Sequence, residues 1–294
     1  MAPSSRTRKH RLAAGTAFIG LFGSMSACYW LTSTDDLTRG NGGSGTPDGS
    51  VEGGPGSDAN NEAVVYPPGS GWKLTFRDEF NGDALGAGWA TEYPREGERA
   101  HSDPGNNEVQ WYLKQNVVVS GGTLKLIAKR EDHPATSQTF HYTSGMVQSK
   151  SLATFQYGYV EAKIKWPKGS GLHPAFWSWP TSESSTPELD IASFAGHEPG
   201  NVTCILNTQN GQKSLREIPA DNGDWTAAWH TYAVDSEPNR TIWYFDGQRV
   251  YDAPSTGGTS LYLMLTFAIS ESPPATGTTL PATYEIDYVR VFTK

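Results

Sequence analysis

The sequence predicts an all-β fold of two packed antiparallel sheets, a sandwich or jelly roll. Three observations carry that prediction. Glycine and proline number 32 and 19 in 294 residues, too many chain-breakers for a helical bundle. Aromatic residues reach 12 %, with 10 Trp and 13 Tyr, and such side chains favour strands. No segment keeps a 3.6-residue apolar period for three turns, whereas short runs bounded by turn residues recur from about Tyr66 onward.

The chain begins differently. Arg6, Arg8, Lys9 and Arg11 precede an apolar, small-residue stretch from Leu12 to Ala27, which closes on Met25-Ser26-Ala27-Cys28. This order reads as a secretory signal over residues 1–28. The run is too short for a transmembrane helix, which needs ~20 apolar residues. Ser26-Ala27-Cys28 resembles a bacterial lipobox, so Cys28 is the expected lipidation site; an ordinary cleaved signal with an incidental cysteine is the alternative. Residues 29–65 are rich in Gly, Ser, Asp and Asn and read as a flexible tether, because they cannot bury enough apolar surface to offset ordering entropy. One globular domain is expected over residues 66–294. The expected location is secreted or at the cell surface of a bacterial envelope, with a lipid as the only membrane attachment and a monomeric chain. The net charge of −8 lacks the basic footprint of a nucleic-acid partner. Two cysteines cannot build a disulfide framework. Cys204, in the apolar run Val202–Leu206, is expected to be a buried, inert thiol.

Within the domain, Val117–Val119 and Leu124–Ala128 flank the turn Ser120-Gly121-Gly122. From Tyr159 to Trp166, Val160, Ala162, Ile164 and Trp166 alternate with Glu161, Lys163 and Lys165, the period of a half-buried strand. Glu188–Phe194, Val202–Leu206, Leu261–Ile269 and Glu285–Phe292 are further strands. Trp243–Phe245 and Gln248–Tyr251 form a hairpin, since Asp246-Gly247 accepts the positive φ of a type I′ turn.

The chemistry lies in one segment. His173-Pro174-Ala175-Phe176-Trp177-Ser178-Trp179-Pro180 leads through a polar loop to Glu188-Leu189-Asp190-Ile191-Ala192-Ser193-Phe194. Glu188 and Asp190 are two apart and share one face of a strand. Two carboxylates pointing the same way are costly unless something pairs or uses them. Trp faces nearby suit pyranose rings, though a core role for any single Trp fits equally well.

This segment resembles glycoside hydrolase family 16, jelly-roll β-glucanases such as laminarinases and lichenases, whose signature is E-x-D-x-x-E. Other stretches match in order: Phe76-Arg77-Asp78-Glu79-Phe80-Asn81-Gly82, Asn106-Asn107-Glu108-Val109-Gln110-Trp111-Tyr112, Tyr157 to Ala162, Trp229-His230-Thr231-Tyr232 and Tyr284 to Val291. The resemblance implies a concanavalin-like jelly roll and retaining endo-hydrolysis of a β-linked polysaccharide. Glu188 becomes the nucleophile and Asp190 its hydrogen-bonding partner. Substrate contacts are implied for Trp177, Trp111 and Asn107. Because E-x-D-x-x-E puts its ends five residues apart, a β-bulge must turn the last position back into the cleft. That position is Ser193, not Glu. A serine hydroxyl has no proton to give near neutral pH, and general acid–base help is worth about 10²–10⁴-fold. Asn207 and Thr266 also depart from the family, which often carries His and Asn there.

Three readings are open at this stage. One is a working glycanase whose acid comes from elsewhere, with His197, Glu198 and Glu183 as candidates. Another is a non-catalytic carbohydrate-binding or sensing lipoprotein. The third is a binding module of unrelated specificity. No cofactor is expected for catalysis. The resemblance also implies a structural Ca²⁺ held by Glu79, Gly122 and Asp287, mostly through backbone carbonyls.

Overall fold

The computed structural model describes residues 64–103, 106–270, 274 and 277–294. Two antiparallel sheets stack on one another. The eight-stranded sheet runs in the order Gln248–Ala253, Thr241–Phe245, His230–Ser236, Gly158–Lys165, Ala282–Thr293, Thr123–Ala128 and Val117–Ser120, with Lys73–Asp78 also paired to Ala282–Thr293. The seven-stranded sheet runs Lys213–Pro219, Asn201–Asn207, Glu188–Phe194, Leu172–Pro180, Leu261–Ile269 and Met146–Gln148, with Thr154–Phe155 also on Leu261–Ile269. Strands that follow one another in sequence pair at the sheet edges, while the centres join distant segments, Gly158–Lys165 beside Ala282–Thr293 and Leu172–Pro180 beside Leu261–Ile269, as in a jelly roll. The predicted all-β architecture is the observed one.

The main core lies between the sheets. Val160, Ala162 and Ile164 enter it from one side, and Leu263, Leu265 and Phe267 from the other. Leu261–Ile269 is buried along its whole length because its two faces meet different partners. The odd-numbered residues join the main core, while Tyr262 and Met264 pack in a second apolar cluster with Tyr93, Tyr112, Met146 and Trp179. The Asp246-Gly247 hairpin forms as expected, with φ of 47° and 72°.

Two features differ from the sequence reading. Glu161 was expected on an open face, yet it is buried, accepting hydrogen bonds from Tyr159 Oη at 3.1 Å and Tyr288 Oη at 2.8 Å. Its neighbours come from its own strand and from Ala282–Thr293, where Arg290 pairs opposite it; the segment before the first strand packs on Tyr159, which Trp72 meets edge-on at 6.0 Å, and on Phe292, 5.5 Å from Tyr66. The strand Lys213–Pro219 was not anticipated. It is an edge strand and mostly exposed, so it carries no clean alternation.

Candidate active site

Three central strands of the seven-stranded sheet build one cavity. Leu172–Pro180 contributes His173, Ala175 and Trp177, all on one face by the two-residue period. Leu261–Ile269 contributes Thr266 and Ala268, and Glu188–Phe194 contributes Glu188, Asp190 and Ser193. Tyr93, Asn106 and Glu108 close one side. The bulge required by the spacing is present. Trp177 pairs with Asp190 and Phe176 with Ala192, leaving Ile191 as the extra residue. Across the other neighbour, Asp190 faces Ile205 and Ser193 faces Thr203. The phase of the strand therefore shifts between Asp190 and Ser193. Leu189, Ile191, Ala192 and Phe194 go to the core, while residues 188, 190 and 193 all reach the cavity.

Glu188 is half-buried, and Asn207 Nδ2 donates to its Oε2 at 2.7 Å. Burial raises the Glu188 pKa above the ordinary 4.5, against the opposing pull of Asn207 and the Lys213 ammonium. Asp190 is buried, and its carbonyl accepts Trp243 Nε1 at 3.1 Å, tying the acidic strand to the opposite sheet across the core. Ser193 Oγ and His173 Nε2 lie 3.1 Å apart. Burial lowers the pKa of His173 from 6.5, partly opposed by the negative charge of Glu108.

Glu108 is the hub of a buried network. Its Oε1 accepts Tyr93 Oη at 2.9 Å; its Oε2 accepts the Asp103 amide at 2.8 Å and Gln110 Nε2 at 3.1 Å. Burial outweighs those donors and lifts its pKa to about 7. These contacts brace the loop that closes the cavity.

The residues expected to touch substrate divide. Trp177 lines the cavity, donates from Nε1 to Thr266 Oγ1 at 3.1 Å, and stands edge-on to Trp179 at 5.6 Å. Trp111 offers no ring face to a sugar: His101 stacks on it at 4.8 Å and His133 at 4.9 Å, and it is only 7 % exposed. Asn107 is exposed with a φ of 57° and does not line the cavity; its neighbour Asn106 does. Of the alternative acids, Glu183 pairs with Lys150 at 2.6 Å and His197 with Glu198 at 3.5 Å, and none of the three is among the residues lining the cavity. Cys204 is buried with its pKa raised by burial, the state of an inert thiol.

His173 and Glu108 were missed as site residues. The signal for His173 was available: it precedes Ala175 and Trp177 by two and four residues and so shares their face. Glu108 stands in the family-like stretch Asn106 to Tyr112, but its burial comes from tertiary packing that the stretch does not show.

The side chains named for calcium have other partners. Both Glu79 oxygens accept from Arg290, Nε and Nη2 each at 2.9 Å, and Arg290 is 1 % exposed. Asp287 pairs with Lys163 Nζ at 2.9 Å. Gly122 and Asp287 line one surface depression together with Lys125. Among the described residues no group of three or more His, Cys, Asp or Glu is placed to hold a metal. An ammonium and a guanidinium thus pair the side chains of Asp287 and Glu79, and a calcium ion here would rest mainly on backbone carbonyls. Cys28, the signal segment and the tether through residue 63 lie outside the described residues.

Comparison with known proteins agrees with this geometry. The family model for glycosyl hydrolases family 16 matches residues 105–288. The endo-1,3-1,4-beta-glycanase EglC of Rhizobium meliloti is 28 % identical over 237 residues, 74 % of this chain and 51 % of its own. A glucan endo-1,3-beta-glucosidase of Cryptopygus antarcticus is 30 % identical over 200 residues, covering 63 % of this chain and 70 % of its own. The chain spans about half the length of the first curated relatives it matches. Among solved structures, an endo-beta-1,3-glucanase from Pyrococcus furiosus superposes with a TM-score of 0.70 at 28 % identity, over 78 % of this chain and 97 % of that one. With the two stacked sheets, the bulged acidic strand and this family match in agreement, the chain belongs to the glycosyl hydrolases family 16.

Proposed function

We propose that this protein is a retaining glycosidase that acts within β-glucan chains. Its nucleophile is Glu188. The observation that carries the reading is the turning of Glu188 and Asp190 into one cavity beside Trp177, on a strand whose bulge also brings Ser193 there. Glu188 attacks the anomeric carbon and the glycosidic C–O bond breaks, leaving a glycosyl ester on Glu188; water then cleaves that ester. Asp190 orients the nucleophile from two residues away. Trp177 gives one sugar an apolar face to pack on. The names of the relatives, which act on 1,3- and 1,3-1,4-linked β-glucans, support this substrate class. The signal-like residues 1–28 and Cys28 support an envelope location, with the chain held by acyl groups.

Ser193, at the position of the family's acid/base glutamate, favours a second reading, in which the cleft binds glucan without cleaving it. Reducing-end release from laminarin and from mixed-linkage glucan separates the two, with Glu188→Gln as the control. Hydrolysis that disappears in Glu188→Gln supports the enzyme. Binding by affinity electrophoresis without any release supports the second reading.

A further inference from the structure

We propose that His173 is the proton donor and acceptor of this cleft, taking the part a glutamate at 193 would play, and that Ser193 positions its imidazole. The inference rests on the reading of Glu188 as nucleophile. His173 Nε2 lies 3.1 Å from Ser193 Oγ, and both residues line the cavity that holds Glu188 and Asp190. The serine oxygen occupies the γ position of its side chain. A glutamate's carboxylate oxygens would end two bonds farther on, and the imidazole nitrogen stands 3.1 Å from that γ oxygen. A short side chain at 193 thus makes room for a titratable ring reaching in from the neighbouring strand.

Among the described residues, the other candidate acids are held elsewhere. Both oxygens of Glu108 are held by Tyr93, Gln110 and the Asp103 amide, so its carboxyl is fixed in the loop network. Glu183 and His197 pair elsewhere and do not line the cavity. Imidazole can both donate and accept a proton at one nitrogen, as the two steps require.

The steps balance. Glu188 forms its bond to the anomeric carbon as the glycosidic C–O bond breaks, and imidazolium His173 gives its Nε2 proton to the departing oxygen. Neutral His173 then takes a proton from water while that water's oxygen attacks the same carbon. The ester bond to Glu188 breaks, returning the carboxylate and the imidazolium.

Among the described residues, the titratable groups sharing the cavity with His173 are Tyr93 and Glu108 from the closing loop and Glu188 and Asp190 from the adjacent strand, with no Lys or Arg in the lining. Burial lowers His173 from 6.5 and raises Glu188 from 4.5, with Glu108 opposing the first shift and Asn207 and Lys213 the second. The proton donor must be charged while the nucleophile is ionised. These shifts narrow the pH interval that satisfies both.

The test uses laminarin and an activated dinitrophenyl β-laminaribioside with the wild type, His173→Gln and Ser193→Ala. His173→Gln is expected to lower kcat/KM on laminarin by about 10²–10⁴-fold. It should keep the rapid release of dinitrophenolate, which needs no proton, and added azide should restore its turnover. Ser193→Ala should move the alkaline limb of the laminarin profile, because the ring loses its partner; it also serves if His173→Gln does not fold. Wild-type laminarin hydrolysis carried by His173 should fall as pH rises above its lowered pKa. A His173→Gln enzyme that cleaves laminarin at the wild-type rate with the same profile would overturn the proposal. So would a wild type that forms the Glu188 glycosyl ester from the activated substrate yet cleaves laminarin at no pH, and that result would leave Glu188 standing as nucleophile. Absence of any dinitrophenolate burst in the wild type would remove both.

Discussion

Asn207 Nδ2 lies 2.7 Å from Glu188 Oε2, and the two residues face each other in register across neighbouring strands. A neutral amide that donates to a half-buried carboxylate favours its ionised form, against the burial that favours the acid. In the role proposed for Glu188, Asn207 thereby helps keep the carboxylate ionised.

Replacing Asn207 with Ala removes that donor. The acid limb of the kcat/KM profile should move up by about one pH unit, equivalent to about 1.4 kcal/mol. Initial rates on laminarin across the acidic range read this directly. An unmoved acid limb would mean that Glu188 does not set it.

Trp177 is half-buried, and one polar tie holds it, to Thr266 at 3.1 Å. Trp177→Ala should weaken laminarin oligosaccharide binding by roughly tenfold, the loss of one apolar sugar contact worth about 1.4 kcal/mol. Its Tm should change little compared with loss of a core aromatic. A large fall in Tm would mark Trp177 as a core residue.

Glu108 gives the fold a pH signature. Its native pKa of about 7 lies above the ordinary 4.5, so the folded chain holds a proton that the unfolded chain releases. Stability should therefore fall as pH rises through that window, by on the order of 3 kcal/mol for this group, and level off above it. Glu108→Gln keeps an acceptor for the Asp103 amide and for Gln110, and should flatten this part of the curve. Denaturant midpoints measured at a series of pH values would show it. An equal slope in both proteins would contradict the assignment.

The ion pairs of the two carboxylates named for calcium carry a further prediction. Lys163 holds Asp287 at 2.9 Å and Arg290 holds both oxygens of Glu79. Chelator or millimolar calcium should leave the Tm of the wild type unchanged. Glu79→Ala should cost about 3–5 kcal/mol, because it leaves a buried guanidinium without its counter-charge. Stabilisation of the wild type by calcium, in a scanning fluorimetry titration, would show that backbone oxygens suffice for the ion.

Much of the fold was legible because sheet physics acts locally. The alternation at Val160, Ala162 and Ile164 and the Asp246-Gly247 turn both need only neighbours in sequence. The bulge was legible for a similar reason: the E-x-D-x-x-E spacing cannot bring Glu188 and position 193 to one face without an extra residue. What escaped depends on contacts between distant segments. Trp111 is covered on both faces by His101 and His133, from loops on either side of it in sequence. Glu161 is buried beside Tyr288 and Arg290 of the last strand, more than a hundred residues away in sequence. The pairing of His173 with Ser193 spans two strands and the loop between them, and only the register of those strands brings the two together.

The most direct test of the account is covalent capture. The wild type is incubated with a slow, activated fluorinated β-glucosyl donor, and the intact protein and its peptides are weighed by mass spectrometry. The account predicts one added glycosyl unit, located on Glu188 and absent from Glu188→Gln. A protein that binds laminarin but gains no mass, or gains it at another residue, would contradict the assignment of Glu188 as nucleophile.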